Sequence, residues 1–179
     1  QGDITATNNQ LDVAIQGEGF FQVRRSDGTY AYTRDGSFKV NADGKIVTAS
    51  GFELEPGFTI GDDAIDVSIG KDGTVEALQV GGGTMVLGNI ELARFINSGG
   101  LIALGDNLYA ESQASGQPIL GTPSSEGFGI LHQGFLESSN VDIVEEMIAM
   151  IASQRAYEIN SKTVKTVEEM MTLANNLKR

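Results

Sequence analysis

The sequence predicts a mainly β protein that ends in one long α-helix. Asp-Gly pairs recur every eight residues, at Asp27-Gly28, Asp35-Gly36 and Asp43-Gly44, and such pairs between short alternating segments are typical of β-hairpins. The last forty residues contain neither Gly nor Pro and show helical periodicity. We therefore predict a β-rich, β-meander domain with extended segments at residues 1–136 and a helical segment at residues 137–179.

Composition and charge exclude several classes of partner. The net charge of −12 argues against nucleic acid and anionic membrane surfaces, because both are negatively charged themselves. No apolar run is long enough to insert in a membrane, and no signal-peptide pattern occurs. The chain has no cysteine, which excludes disulfides and thiolate sites. It begins with Gln1 instead of Met, so we expect a fragment of a longer protein.

The first half of the chain reads as strands and turns. Leu11, Val13 and Ile15 alternate before Gly17-Glu18-Gly19 interrupts the pattern. The Asp-Gly pairs then separate four predicted strands, at Phe20–Arg25, Thr29–Arg34, Ser37–Asn41 and Lys45–Ala49. Repeated Asp is also found in calcium loops, but the spaced acidic ligands of such a loop are missing here. Turn formation is therefore the better interpretation of these residues.

The second half continues with short strands. Three consecutive glycines at Gly81–Gly83 resemble a phosphate-binding loop, but no Gly-Lys-Ser/Thr follows, so a hairpin tip is favoured. The segment Ile90–Ile96 fits a strand better than a short helix because Ile90 and Leu92 alternate. Residues 114–127 are rich in Ser, Gly and Pro and are predicted to be a loop. The remaining predicted extended segments are Ile65–Ile69, Thr74–Val80, Met85–Leu87, Asn107–Gln113 and Gly127–Leu136.

Within the last forty residues, Asn140–Arg179, we predict one uninterrupted helix of about 37 residues, roughly 55 Å in length. Asn140 or Asp142 can cap it, and Asp142 with Glu145 has capping-box spacing. A domain of the remaining residues should have a radius of gyration of only about 14 Å. We therefore expect the helix to project beyond the β domain.

Two apolar lines follow the predicted helix. The first line advances in steps of three or four and consists of Ile148, Ala152, Ala156, Ile159, Thr163, Val167, Met170, Ala174 and Leu177. The second line recurs every seven residues, about 130° around the helix, and consists of Ile143, Met150, Tyr157, Val164 and Met171. A polar face with Arg155, Glu158 and Lys162 separates them.

No second long helical pattern exists to cover these lines, so we predict that they contact other chains or a segment missing from this one. The predicted assembly interface consists of Ile143, Ile148, Met150, Ala152, Ala156, Tyr157, Ile159, Val164, Val167, Met170, Met171 and Leu177.

Little in the chain suggests catalysis. The single histidine, His132, has no metal-ligand spacing around it. No nucleophile, zinc or dinucleotide motif occurs, and no carboxylate pair stands out among the 24 acidic residues as a glycosidase pair would. We predict no catalytic, cofactor-binding or metal-binding residues and no enzyme activity. The residues rank a self-assembling structural protein first, a ligand-binding β module second and an enzyme third.

Several stretches together resemble one family, the bacterial flagellar axial proteins of the rod and hook. They are LDVAIQGEGFFQV at 11–23, YTRDGSF at 32–38, GDNLY at 105–109, GFLESSNVD at 134–142 and QRAYEINSK at 154–162. The resemblance extends over essentially the whole chain, and the last stretch is most similar to distal rod subunits.

This resemblance implies a structural subunit that self-assembles helically into the distal rod, the rigid hollow shaft that transmits motor torque to the hook. It implies a β-rich outer domain on a core of paired terminal helices, of which this chain carries the C-terminal one. The implied partners are copies of itself, neighbouring rod and hook proteins, and the surrounding ring proteins of the basal body. It also implies export by the flagellar type III apparatus without a cleaved signal peptide, to a periplasm-spanning rod.

Two alternatives remain open at this point. One is a proximal rod or hook subunit of the same family. The other belongs to a different class, a secreted β module that binds glycan or peptide and uses the helix only as a stalk.

Overall fold

The computed structural model describes residues 2–61 and 63–176, with only the backbone described for residues 173–176. The chain divides into two compact units, residues 1–138 and residues 139–179, which we call the β unit and the helical unit. All sixteen strands of the described residues lie in the β unit, and the one α-helix lies in the helical unit. The predicted fold class, mainly β with a long C-terminal helix, is confirmed.

The strands are short and follow one another closely. They are β1 Ile4–Ala6, β2 Val13–Gln16, β3 Phe20–Arg24, β4 Tyr30–Thr33, β5 Phe38–Val40, β6 Ile46–Thr48, β7 Glu53–Leu54, β8 Ala64–Ile69, β9 Thr74–Gln79, β10 Thr84–Asn89, β11 Leu92–Arg94, β12 Ile102–Gly105, β13 Leu108–Ala110, β14 Ile119–Gly121, β15 Ile130–Gln133 and β16 Phe135–Glu137. A 3₁₀ turn covers Ser98–Gly100, and helix α1 covers Ile143–Asn176.

Most strands belong to one nine-stranded sheet. Its main path is β12-β13-β4-β3-β7-β6-β5, and β11 joins it through β3 while β14 pairs with β11. A separate three-stranded sheet has the order β10-β9-β8, and β15-β2 and β1-β16 form two-stranded ribbons. The predicted hairpin tip at Gly81–Gly83 is confirmed, because the Gln79 N–H donates to Gly83 O at 2.8 Å between β9 and β10.

The first and third Asp-Gly pairs form hairpin turns as predicted. In the β3–β4 turn the Arg25 N–H donates to Thr29 O at 2.9 Å, and Gly28 has a φ of +83°. The Asp27 Oδ1 atom accepts hydrogen bonds from both the N–H and the hydroxyl of Thr29, at 2.9 and 2.6 Å. The β5–β6 turn repeats the backbone geometry, with Gly44 at a φ of +76°, but its side-chain acceptor is Asn41 Oδ1, which accepts the N–H groups of Asp43 and Lys45 at 2.9 Å. Side-chain acceptors and positive-φ glycines thus stabilise both turns.

The prediction of a continuous meander is wrong at Asp35-Gly36. Strand β4 pairs with β3 and β13, whereas β5 lies at the other end of the sheet next to β6. Gly36 serves a different purpose there: its carbonyl accepts the Val13 N–H at 3.0 Å, and a Cβ on Gly36 would lie 1.7 Å from Val13 O. The glycine permits a close backbone approach to β2 instead of a hairpin turn.

The predicted loop at residues 114–127 is also wrong in part, because it contains β14. This strand pairs antiparallel with β11, with Leu120 opposite Ala93. Strands β1, β7 and β12 were likewise not predicted. All four are two to four residues long. Strands β1, β7 and β14 pair with strands far away in the chain, which a local pattern does not reveal. Strand β12 forms a tight hairpin with β13 that the sequence analysis missed.

The core lies where the sheets meet. Phe21 and Phe38 pack edge to face with ring centroids 5.1 Å apart, and both are at most 2% exposed. The other largest fully buried side chains include Ile15, Ile46, Leu54, Ile90, Leu92 and Leu131. His132 bonds through Nε2 to Gln16 Oε1 at 2.7 Å across the β15–β2 ribbon, in keeping with the structural role predicted for it. Among the described residues, no helix is long and apolar enough to cross a membrane.

Candidate assembly interface on the C-terminal helix

The helix begins where its cap predicts. The Asp142 Oδ1 atom accepts the N–H groups of Val144 and Glu145 at 2.8 and 3.4 Å. The Asp142 carbonyl accepts the Glu146 N–H at 3.1 Å, the first hydrogen bond of the helix. Glu145 and Glu146 place negative charge in the first turn, which the helix dipole favours. Asp142, one of the two predicted caps, therefore fixes the start of α1 at Ile143.

The helix spans 34 residues, about 51 Å at 1.5 Å per residue. Its hydroxyl side chains bond back to the helix itself: the Thr163 Oγ1 donates to Ile159 O at 2.8 Å, and the Ser153 Oγ donates to Ala149 O at 2.9 Å. A neighbouring apolar surface can therefore cover Thr163 without leaving an unpaired hydroxyl, since that group already has a partner. This property suits Thr163 to its place in the first apolar line.

The described side chains of the predicted interface are all exposed in this chain. The exposed fraction of the large ones ranges from 40% for Val167 to 77% for Tyr157. Ala152 and Ala156 are exposed as well. The larger members in this range are Ile143, Ile148, Met150, Tyr157, Ile159, Val164, Val167, Met170 and Met171. Leu177 lies outside the described residues. These side chains are thus accessible to another surface, while their role as an interface stays a prediction.

Three exposed apolar side chains near the start of the helix were missed by the sequence reasoning. Val144, Met147 and Ile151 are 64%, 56% and 49% exposed. At about 100° per residue they lie between the two lines, so that the first three turns present one apolar arc of about 200°. From Arg155 onward the same side of the helix is charged, with Glu158 and Lys162 following. The three residues from Val144 to Met147 and the four from Met147 to Ile151 are helical steps, and this spacing is the signal that identifies the missed side chains.

The chemistry available to the helix is packing. Within the described part of the chain, no group of three or more His, Cys, Asp or Glu side chains is arranged to hold a metal ion. The helix presents long aliphatic, Met and Tyr side chains on two sides and a charged strip between them. Such a surface can bind other helices through apolar contacts, and its charged strip can determine their register through ion pairing.

Comparison with known proteins decides the family. Residues 14–77 match the family model described as the flagellar hook protein FlgE/F/G D1 domain, and residues 132–177 match the model described as the flagellar basal body rod FlgEFG protein C-terminal region. The flagellar basal-body rod protein FlgG of Borreliella burgdorferi is 48% identical over 182 residues, covering 100% of this chain and 69% of that protein. This chain belongs to the FlgG family of flagellar basal-body rod proteins.

Other FlgG proteins agree. The FlgG of Caulobacter vibrioides is 45% identical, covering 99% of this chain and 68% of that protein. The FlgG of Bacillus subtilis is 42% identical, with 97% and 67% covered. The flagellar hook protein FlgE of Salmonella typhimurium matches less of the chain, 43% identity over 65% of it and 29% of that protein. The resemblance to axial proteins found in the sequence is confirmed. The FlgG proteins match nearly the whole chain and the hook protein matches less of it, so we assign the chain to the FlgG family.

The two FlgG family regions fall on different units. The D1 match at residues 14–77 covers β2 to most of β9 in the β unit. The C-terminal rod match at residues 132–177 begins within β15 and contains α1. Helix α1 therefore lies in the part of this chain that matches the rod FlgEFG model.

Proposed function

We propose that this protein is a structural subunit that self-assembles helically into the distal rod of the bacterial flagellar basal body. The rod is a rigid hollow shaft that carries motor torque to the hook. Membership of the FlgG family supports this function. The single observation that carries it is the long helix α1, whose predicted interface side chains are exposed along its described length.

The energetics favour association. Each large aliphatic side chain left in water forgoes about 1.5–3 kcal/mol of burial free energy, and α1 exposes many of them in succession. Extended apolar patches on soluble proteins usually mark contact surfaces. Because the two lines lie about 130° apart, one neighbour cannot cover both. We propose that one line packs on a helix from the part of the protein outside this chain and the other on a neighbouring subunit.

The residue spacing favours a straight shaft. Ile148, Ile159 and Met170 are eleven residues apart, close to the period of an unsupercoiled α-helix and unlike a heptad repeat. Ala152 and Ala156 permit close approach of a partner helix, while Met and Tyr side chains on the second line can fill an adaptable seam. Straight helices packed on two sides resist bending and twisting, as a torque-transmitting rod requires.

The other roles follow from the same assignment. Residues 1–136 would form the outer domain and residues 137–179 the axial core of the polymer. Neighbouring rod and hook proteins would continue the shaft, and ring proteins of the basal body would surround the acidic outer domains. We propose export without a cleaved signal peptide and a purely structural role with no enzymatic reaction.

Light scattering and electron microscopy on the full-length protein test this function, with the present 179-residue chain as the matched control. The relatives extend beyond the matched part, since the chain covers 69% of the Borreliella protein. We expect filaments or tubes from the full-length protein and no ordered polymer from the shorter chain. Monodisperse monomers of both would overturn the proposal and favour a ligand-binding β module.

A further inference from the structure

The segments that open and close the β unit are paired with each other. Strands β1 and β16 form an antiparallel ribbon in which Ile4 lies opposite Glu137 and Ala6 opposite Phe135. The Ser138 N–H extends the ribbon at one end by donating to Asp3 O at 2.8 Å. Residue 138 is the last of the β unit, so this end of the ribbon directly precedes the helical unit.

The ribbon is anchored at each end by a different residue. At the end away from the helical unit, the Gly134 N–H donates to Asp12 O at 2.7 Å, and the Thr7 hydroxyl donates to the Asp12 carboxylate at 2.6 Å. At the end next to the helical unit, Glu137 is held by Arg34 at 2.8 Å. A two-stranded ribbon is only marginally stable by itself, so its order depends on these anchors.

The Arg34 guanidinium makes four hydrogen bonds with a planar arrangement of donors. Its Nε donates to Glu137 Oε2 at 2.8 Å. Its Nη1 donates to Gly17 O and Gly19 O at 3.1 and 2.8 Å, and its Nη2 donates to Ile15 O at 3.0 Å. All three carbonyls belong to strand β2 or to the connection between β2 and β3. One side chain thus joins the ribbon to the body of the β unit.

Glu137 completes the connection from the other side. Its Oε1 accepts the Gly2 N–H at 3.0 Å while its Oε2 accepts from Arg34. The two side chains are only 20% and 13% exposed, so solvent screens this ion pair far less than an exposed one. The carboxylate therefore bonds both to the first residues of the β unit and to its body.

We infer that Arg34 is a positioning residue that clamps the helix-proximal end of the β1–β16 ribbon onto the β2–β3 connection. The clamp makes the two chain segments at this end one fixed attachment. The inference does not depend on rod assembly, because it concerns the single chain.

The chemistry of the site predicts which substitutions break the clamp. Arg34→Gln removes the charge and most of the donors that reach the three carbonyls. Arg34→Lys keeps the charge but replaces the planar fork with a single ammonium group, so it should restore only part of the effect. Exchanging the charges in Arg34→Glu with Glu137→Arg should not restore it, because a carboxylate at position 34 cannot donate to carbonyl oxygens.

Hydrogen–deuterium exchange of the whole chain, read by mass spectrometry, tests the inference. For Arg34→Gln we expect amide exchange at the helix-proximal end of the ribbon, in residues 3–5 and 136–138, to rise about ten- to a hundredfold, as expected for the loss of charge-assisted hydrogen bonds. The end that Asp12 anchors should change less. Exchange in β8, β9 and β10 should not change. The matched control is Arg25→Gln, which removes an exposed ion pair with Asp27 at 3.2 Å and should leave the ribbon unchanged.

Two results would overturn the inference. Unchanged exchange in the ribbon would show that Arg34 does not hold it. A uniform rise over the β unit would show that Arg34 stabilises the whole fold without a local role. If Arg34→Gln fails to fold, Glu137→Ala decides the question: it removes both carboxylate acceptors and leaves the three Arg34–carbonyl bonds in place. An unaltered ribbon in that variant would also contradict the clamp.

Discussion

The two units of this protein place the same kinds of side chain in opposite environments. In the β unit, Phe21, Val23 and Leu92 are fully buried. In the helical unit, Ile159 and Met171 are 65% and 68% exposed. The β unit therefore contains the partners that its core residues need. The helical unit contains an exposed apolar surface, and we propose that its partners come from elsewhere in the protein or from other subunits.

The units also differ in where their backbone N–H and C=O groups find hydrogen-bond partners. Strands of the β unit depend on partners far away in the chain, as Ile4 and Glu137 illustrate. The helix closes its own backbone hydrogen bonds and uses Asp142 for its first turn. What it lacks is side-chain packing, and isolated helices are marginally stable in water without it. From this difference we predict that folding of the β unit and association of the helix are separable events.

A pair of aromatic truncations gives the largest contrast between the units. Phe21→Ala should lower the free energy of unfolding of the β unit by about 3–5 kcal/mol, because Phe21 is fully buried against Phe38. Tyr157→Ala removes a side chain that is 77% exposed and should change the free energy of unfolding by less than about 0.5 kcal/mol. Denaturant unfolding of the chain, followed by a β-sheet signal, measures both. Equal losses would contradict the separation of the units.

A smaller effect concerns pH and only the β unit. Burial raises the pKa of Tyr32 to about 12, with smaller contributions from the charges of Glu111 and Tyr30. The folded protein then keeps the phenol proton above the unfolded pKa of about 10. The stability that this contributes is complete below pH 10 and is lost as the pH rises towards 12.

We expect the free energy of unfolding to fall by about 1–3 kcal/mol over this range for the native protein. Tyr32→Phe has no phenol at this position and should show a correspondingly smaller fall. Denaturant titrations at pH 9.5, 10.5 and 11.5 measure the difference. The same fall in both proteins would show that another group governs the alkaline transition.

Local signals in the sequence predict much of the fold. The hairpins at Asp27-Gly28 and Asp43-Gly44 follow from turn chemistry that is complete within a few residues. The helix follows from its periodicity, and its start follows from Asp142. Each of these features depends on neighbours in the chain, so the sequence alone contains the information needed to predict it.

Most of the sheet contacts that were missed depend on distant residues. The pair Asp35-Gly36 has the sequence of a turn, but close contact with Val13 on another strand determines the role of Gly36. Strand β14 is ordered by β11, and β1 by β16. The Arg34–Glu137 pair joins residues 103 positions apart, and no local spacing indicates it. Such pairings are properties of the tertiary structure and leave no periodic trace.

The exposed apolar surface of the helix was predicted more completely than the sheet topology. Its two apolar lines lie on a single helix, where spacing translates directly into direction. The three missed residues, Val144, Met147 and Ile151, occupy only the first turns, where apolar side chains surround most of the helix. A search for apolar lines that run the whole length of the helix misses this shorter third line, because it ends where the charged residues begin.

The most direct test of the account is one substitution measured in two ways. Ile159→Asp in the full-length protein places a charge in the middle of the first apolar line, and Ile159→Leu is the matched control that keeps the site apolar. Electron microscopy measures polymer formation, and circular dichroism of the same samples measures the strands. We predict no polymer from Ile159→Asp, polymer from Ile159→Leu, and an unchanged β signal in both. Polymer formation by Ile159→Asp, or loss of its β signal, would contradict the claim that the helix assembles and the β unit folds independently.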